Sequence, residues 1–175
     1  MTDTEILSLR RFDVVTEAMY LDYIQEWEAT SERVVPSSTN RKGRTFPEMM
    51  HKWTTDETPD AYKAGFVPST LYFLVRNHSR IIGAIHRRHE LNERLLQNGG
   101  NVGYGVRPTE RRKGYASLML KLLLTDLGKR NFGKVLITCD EDNCASAKTI
   151  ERAGGIPQDK VPFEGVMTRR YWIKL

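Results

Sequence analysis

The sequence predicts a mixed α/β fold, and three stretches carry that prediction. Residues 101–116, NVGYGVRPTERRKGYA, read as a strand that passes through a basic, glycine-bearing turn into a long helix. Residues 71–75 and 81–88, separated by Asn77-His78-Ser79, read as an antiparallel hairpin. Residues 135–137 are continuously apolar and precede a further helix, as a strand in a sheet interior would. The 175 residues suffice for one domain with a proper core, assigned to residues 1–175.

Taken in order, Ile6, Leu7 and Leu9 ahead of Arg10-Arg11 predict an opening strand. Ala18, Leu21, Tyr23, Ile24 and Trp27 recur at helical spacing, which predicts a helix over 15–29 capped by Asp13 or Thr16. Residues 30–45 are polar with Pro and Gly, and predict a mobile loop. A short helix follows over 46–53 with Pro47 in its first turn, then a loop marked by Thr58-Pro59-Asp60. After the hairpin, residues 91–96 form a small helix closed by Asn98-Gly99-Gly100. Val102, Tyr104 and Val106 alternate with Gly103 and Gly105 at period two, and Pro108 ends that strand because it lacks an amide donor. In residues 117–127, Leu118, Leu120, Leu122, Leu123, Leu124 and Leu127 give a broad apolar face. Ser117, Lys121 and Thr125 mark its wet side, and Gly128 is placed to cap its end. Asn143 is placed to cap the next helix, with Ala147, Ile150 and Ala153 on one face, and residues 166–175 end the chain as strand.

Hydrophobic residues make up 39% and charged residues 28%, a soluble globular balance. No apolar run approaches the roughly 20 residues that span a bilayer. The N-terminal MTDTEILSLRRFD lacks a signal-peptide core, so a cytoplasmic location without membrane contact is expected. Cys139 and Cys144 cannot build a four-ligand zinc site by themselves; they read as inert thiols, and no metal is expected. Net charge of +5 permits a nucleic-acid partner without demanding one. Basic residues are dispersed except at Arg107, Arg111, Arg112 and Lys113, which indicates a solvated surface with one focused anion site. A nucleic-acid-binding domain would interleave aromatics with that cluster. Here they fall on predicted core strands. A dinucleotide fold is disfavoured, since the third glycine after Gly103-x-Gly105 would fall at Pro108.

The turn itself argues for an anion. A helix's first turn offers free N–H groups and the positive end of the dipole. Gly114 lets backbone approach a ligand, and Ala116 leaves the next turn unobstructed. Three cations at a helix N-terminus oppose the dipole, so Arg111, Arg112 and Lys113 together ask for a phosphate.

Val106-Arg107-Pro108 followed by Arg111-x-x-Gly114-x-Ala116 resembles the acyl-CoA signature of the GNAT superfamily of N-acetyltransferases, Gln/Arg-x-x-Gly-x-Gly/Ala after a V-x-P strand end. Asn143-x-x-Ser146 resembles that family's second, strand-to-helix motif, and the order of elements matches over nearly the whole chain. The resemblance implies a GNAT-like acyl-CoA N-acyltransferase fold, a central, mostly antiparallel twisted sheet flanked by helices. It implies acetyl-CoA as co-substrate and direct acetyl transfer to a primary amine of a small molecule or peptide, with a homodimer compatible. Cofactor contacts are implied for Tyr104, Gly105, Val106, Arg111, Arg112, Lys113, Gly114, Tyr115, Ala116, Ser117, Asn143 and Ser146. Gly103 and Gly105 admit close approach of the pantetheine arm or relieve crowding in the sheet.

The catalytic candidates are Glu90, Tyr104 and Ser146, with His86 and His89 beside Glu90 as further bases. The family's tyrosine seven residues after the motif Asn falls here on Ile150. The thiolate then leaves unassisted, through water, or with help from Ser146, whose hydroxyl could equally cap the helix. The missing tyrosine leaves a non-catalytic CoA-binding sensor as an alternative. Tyr20, Tyr23, Trp27, Trp53 and the loop at 30–45 are expected around the acceptor, where Glu26 and Glu28 attract a cationic amine or form the solvated face of their helix.

Overall fold

The structure, a computed structural model, describes residues 5–175; residues 1–4, the start of the N-terminal stretch read above, lie outside the described residues. Seven strands form one sheet in the order β1-β2-β3-β4-β5-β7-β6. They are β1 (Leu7–Arg11), β2 (Ser69–Arg76), β3 (Arg80–Arg88), β4 (Val102–Val106), β5 (Lys134–Asp140), β6 (Ile156–Phe163) and β7 (Val166–Lys174). Every neighbouring pair is antiparallel except β4 and β5, which run parallel. The hairpin between β2 and β3 turns through Asn77 and His78 at φ 47° and 58°, the left-handed region a tight hairpin demands.

Helices α1 (Glu17–Glu28) and α2 (Phe46–Asp56) cover one face of the sheet. Tyr20, Tyr23, Trp27 and Trp53 are buried there against Phe73 and Ala84. The other face packs against α4 (Tyr115–Lys129) and α5 (Cys144–Arg152), through Leu120, Leu123, Leu127, Ala147 and Ile150. The small α3 (Glu93–Gln97) bridges β3 and β4, capped by Asn92. No described helix is long and apolar enough to cross a membrane.

Four local expectations are corrected. Residues 30–45 are not a free loop: Ser38 accepts the indole N–H of Trp53 at 2.9 Å, Thr39 accepts the hydroxyl of Tyr20 at 2.7 Å, and Val34 is buried. Gly128 does not cap α4 but lies within it. Buried Leu127 carries the helix past that glycine, and Asn131, at φ 54°, makes the left-handed stop. The amides of Asn131 and Phe132 reach back to Gly128 and Leu127, closing the end. Leu122, counted on the apolar face of α4, is exposed, as is Ala18 on α1.

Candidate active site

The site begins where the sheet opens. Parallel β4 and β5 are registered at one pair, Val102 with Ile137. Buried Asn101 pins that junction: its amide donates to Leu136 at 2.7 Å and its Oδ1 accepts the Leu136 amide at 2.8 Å. Beyond the pin, Gly103, Tyr104, Gly105 and Val106 pair with β3 and have no partner on β5. Backbone donors and acceptors on such an edge invite an extended ligand.

Tyr104 crosses this opening. Its hydroxyl lies 2.9 Å from Ser146 Oγ on the first turn of α5. Burial pushes the phenol up to about 12, against the smaller opposing pull of the Ser146 bond, so it keeps its proton at neutral pH. Asn143 Oδ1 accepts the Ser146 amide at 3.1 Å and caps α5, so the helix is capped by the asparagine and not by the Ser146 hydroxyl. Ile150, where the resemblance places a tyrosine, is fully buried in the core. A phenol thus reaches the head of α5 from β4. Cys139 is buried and its thiol is pushed up by that burial, while Cys144 is exposed.

At the far end of β4, Pro108–Glu110 form a 3-10 turn, and Gly114 starts α4 at φ 82° with no side-chain cap. Of the other four α-helices, three carry such caps, from Thr16, Asn92 and Asn143, and α2 is closed by a capping box in which Glu48 accepts the Thr45 amide. The free amides at the start of α4 are therefore open to an anion. The cations beside them differ from expectation, because two of the three are already paired. Arg111 binds Glu32 at 2.7 and 3.0 Å and lies over Trp27, and Lys113 binds Glu110 at 2.9 Å. Arg112 is exposed, with no ion-pair partner among the described residues. Tyr115 turns its hydroxyl to Arg76 at 2.7 Å, while Ala116 and Ser117 are half-buried in the first turn.

Glu110 anchors this turn to the hairpin. Its burial alone would raise its pKa, but bonds from Arg76 and Lys113 overcome that and hold it at about 2. A depressed carboxylate stabilises the fold above its unfolded value, near 4.5, and that stability is lost as pH falls toward the folded value. Thermal melts are therefore expected to drop between pH 4.5 and pH 2. Glu110→Gln should flatten that part of the pH profile; an unchanged profile in the variant would contradict this assignment.

On the opposite face, the loop after α1 lies directly over β4. A Cβ at Gly105 would stand 2.1 Å from the Val35 carbonyl oxygen, so the close approach this glycine permits is that of the chain's own loop. At Gly103 the nearest atom to a Cβ is Arg88 Nη1 at 4.0 Å, which leaves space over the strand. The register sets His86 directly beside Gly103 on this face. His86 is half-buried, and burial, then Arg88 and Lys52, hold its pKa well below the usual histidine value.

Glu90 is not brought to Tyr104 and Ser146: it is exposed and accepts the Tyr62 hydroxyl at 2.7 Å. His89 Nε2 lies 2.8 Å from Thr70 Oγ1. Glu26 and Glu28 are not free to attract an amine, being engaged by Arg107 with Thr109 and by Arg41. The Arg107 network was missed in the sequence, where Arg107 counted as part of the anion turn; Asp22 and Glu26, one helical turn apart, were its available signal. Among the described residues no group of three or more His, Cys, Asp or Glu could hold a metal ion.

Residues 7–156 match the family model described as an acetyltransferase (GNAT) domain. No curated protein matches the chain. Among solved structures, the chain is similar to the ribosomal-protein-S5-alanine acetyltransferase from Vibrio fischeri, at 16% identity and TM-score 0.66, covering 98% of this chain and 97% of that one. It is also similar to a ribosomal L7/L12 alpha-N-protein acetyltransferase in complex with coenzyme A, at 16% identity and TM-score 0.63, covering 97% and 94%. A spermidine N-acetyltransferase chimera from Vibrio cholerae and hSSAT gives 15% identity and TM-score 0.64, covering 96% and 95%. These identities speak for a shared fold, and the family match speaks for the chemistry. The chain belongs to the GNAT family of acetyltransferases and is an acyltransferase enzyme.

Proposed function

We propose that this enzyme transfers the acetyl group of acetyl-CoA directly to a primary amine on a small molecule or peptide. The observation that carries this reading is the open edge of β4, bounded by the Asn101 pin and leading to the uncapped start of α4. The single sheet that takes in all described strands supports one catalytic domain over residues 1–175. The free amides of residues 114–117 receive the pyrophosphate, with Arg111, Arg112 and Lys113 adding positive potential. Tyr104, Gly105 and Val106 offer backbone to the pantetheine, with Asn143 and Ser146 on the other wall.

A thioester is already activated, so the protein's work is alignment, carbonyl polarisation and proton transfer. Protonated Tyr104, through its bond to Ser146, supplies a proton to the departing thiolate. The amine must arrive unprotonated or lose a proton on the way. Glu90, on the surface, would act only through solvent, whereas His86, uncharged at neutral pH beside the space over Gly103, accepts the proton that the amine nitrogen sheds as the C–N bond forms. The protein relatives act, by their names, on ribosomal proteins and on spermidine; both acceptor classes belong in the assay.

The test is incubation with acetyl-CoA and a panel of spermidine, free amino acids and short peptides, read by mass spectrometry. Acetylated amine and free CoA should appear in equal amounts without a stable acetyl-enzyme. An acetylated enzyme that passes its group on to the amine would contradict direct transfer. With the acceptor so found, His86→Gln is expected to lower kcat by roughly 100-fold while leaving acetyl-CoA affinity intact. Unchanged kcat and pH profile would remove His86 from the mechanism.

A further inference from the structure

We propose that Glu26 is a positioning residue for the cofactor turn, tying the acceptor-side helix α1 to CoA binding. This rests on the reading of the β4–α4 turn as the pyrophosphate site. Arg107, at the end of β4, is 2% exposed and enclosed by α1. Its Nε donates to Glu26 Oε2 at 2.5 Å, its Nη1 to Asp22 Oδ2 at 2.6 Å and to the Ile81 carbonyl at 3.0 Å, and its Nη2 to the Asp22 carbonyl at 3.0 Å. The other oxygen of Glu26 accepts the Thr109 amide at 2.8 Å and the Thr109 hydroxyl at 2.9 Å. One carboxylate therefore holds both flanks of Pro108, where the strand becomes the turn.

An exposed ion pair contributes little. This one differs, because the arginine is buried and the carboxylate also accepts a backbone amide of the turn. Alternate residues of the segment face opposite ways: Arg107, Thr109 and Arg111 reach α1 and the loop after it, while Glu110 reaches the β2–β3 hairpin through Arg76. With both sides held, the amides at the start of α4 are presented already ordered. Without Glu26 the hairpin anchor keeps the chain folded, but the turn must be ordered when the ligand binds, and affinity falls accordingly.

The experiment is calorimetric titration of the full chain with CoA, at a temperature where circular dichroism shows each variant folded. Glu26→Gln keeps the side chain's size but has only one acceptor oxygen, so it sets N–H donors against either Arg107 or Thr109. It is expected to weaken CoA binding about tenfold. Glu28→Gln, on the same helix but paired with Arg41, should leave the affinity unchanged. Should Glu26→Gln fail to fold, Thr109→Val decides, since it removes one hydroxyl contact at an exposed position and should weaken binding about threefold. Wild-type affinity in folded Glu26→Gln, or in Thr109→Val where that variant is needed, overturns the proposal, and a purely structural role would show as a lowered melting temperature with intact affinity. A wild-type chain that does not bind CoA overturns instead the reading of the turn.

Discussion

Gly114→Glu is expected to abolish CoA binding in a protein that remains folded. A Cβ at this position finds nothing within 4 Å, so the substitution brings no clash. It does bring backbone strain, because Gly114 sits at φ 82°, where a side chain costs roughly 1–2 kcal/mol. The larger effect is electrostatic. The new carboxylate would stand at the start of α4 and compete for the amides that are open there. Repulsion between two unit charges about 4 Å apart amounts to roughly 4 kcal/mol near a protein surface, or about a thousandfold in affinity. Gly114→Ala carries the strain without the charge, and should weaken binding about thirtyfold at most. Full CoA affinity in folded Gly114→Glu would place the cofactor elsewhere.

The second large effect is on β4, on the face covered by the loop after α1. Gly105→Ala sets a Cβ 2.1 Å from the Val35 oxygen and 2.8 Å from its carbonyl carbon, and backbone must move to relieve it. That loop is held in place by Trp53 and Tyr20, so it has little room to give. Overpacking of this kind costs roughly 2–3 kcal/mol. For a chain of this length that corresponds to a melting temperature lower by roughly 4–12 °C. Gly103→Ala, two residues away on the same face, meets its nearest atom at 4.0 Å and should shift the melt by roughly 2 °C or less. The pair separates a specific contact from the general preference against glycine in strands. Equal melting shifts for the two would mean that the loop does not rest on β4.

The parts of the fold written in local sequence were legible. The strand-turn-helix at 101–116 follows from alternation, a proline and a glycine in one short stretch, and the caps at Thr16 and Asn143 act within three residues of themselves. Gly128 misled because glycine is a local stop signal, whereas burial of Leu127 and the left-handed Asn131 decided where α4 ends. The site was half legible for the same reason. Its uncapped helix start is local, but its partners are distant: Tyr104 meets Ser146 42 residues on, and Arg107 meets Glu26 81 residues back. Glu32 and Glu110 likewise compensate Arg111 and Lys113, which composition alone presents as an unpaired cluster. Glu90 looked suitable by its place just beyond a strand end, but its side chain turns to Tyr62.

Cofactor binding at the start of α4 is decided by calorimetric titration of the wild-type chain with acetyl-CoA, with CoA and an unrelated nucleotide as controls. The expected result is micromolar binding that requires the CoA moiety and is shared by acetyl-CoA and CoA. Folded protein that binds neither, or that binds the unrelated nucleotide equally well, would contradict it.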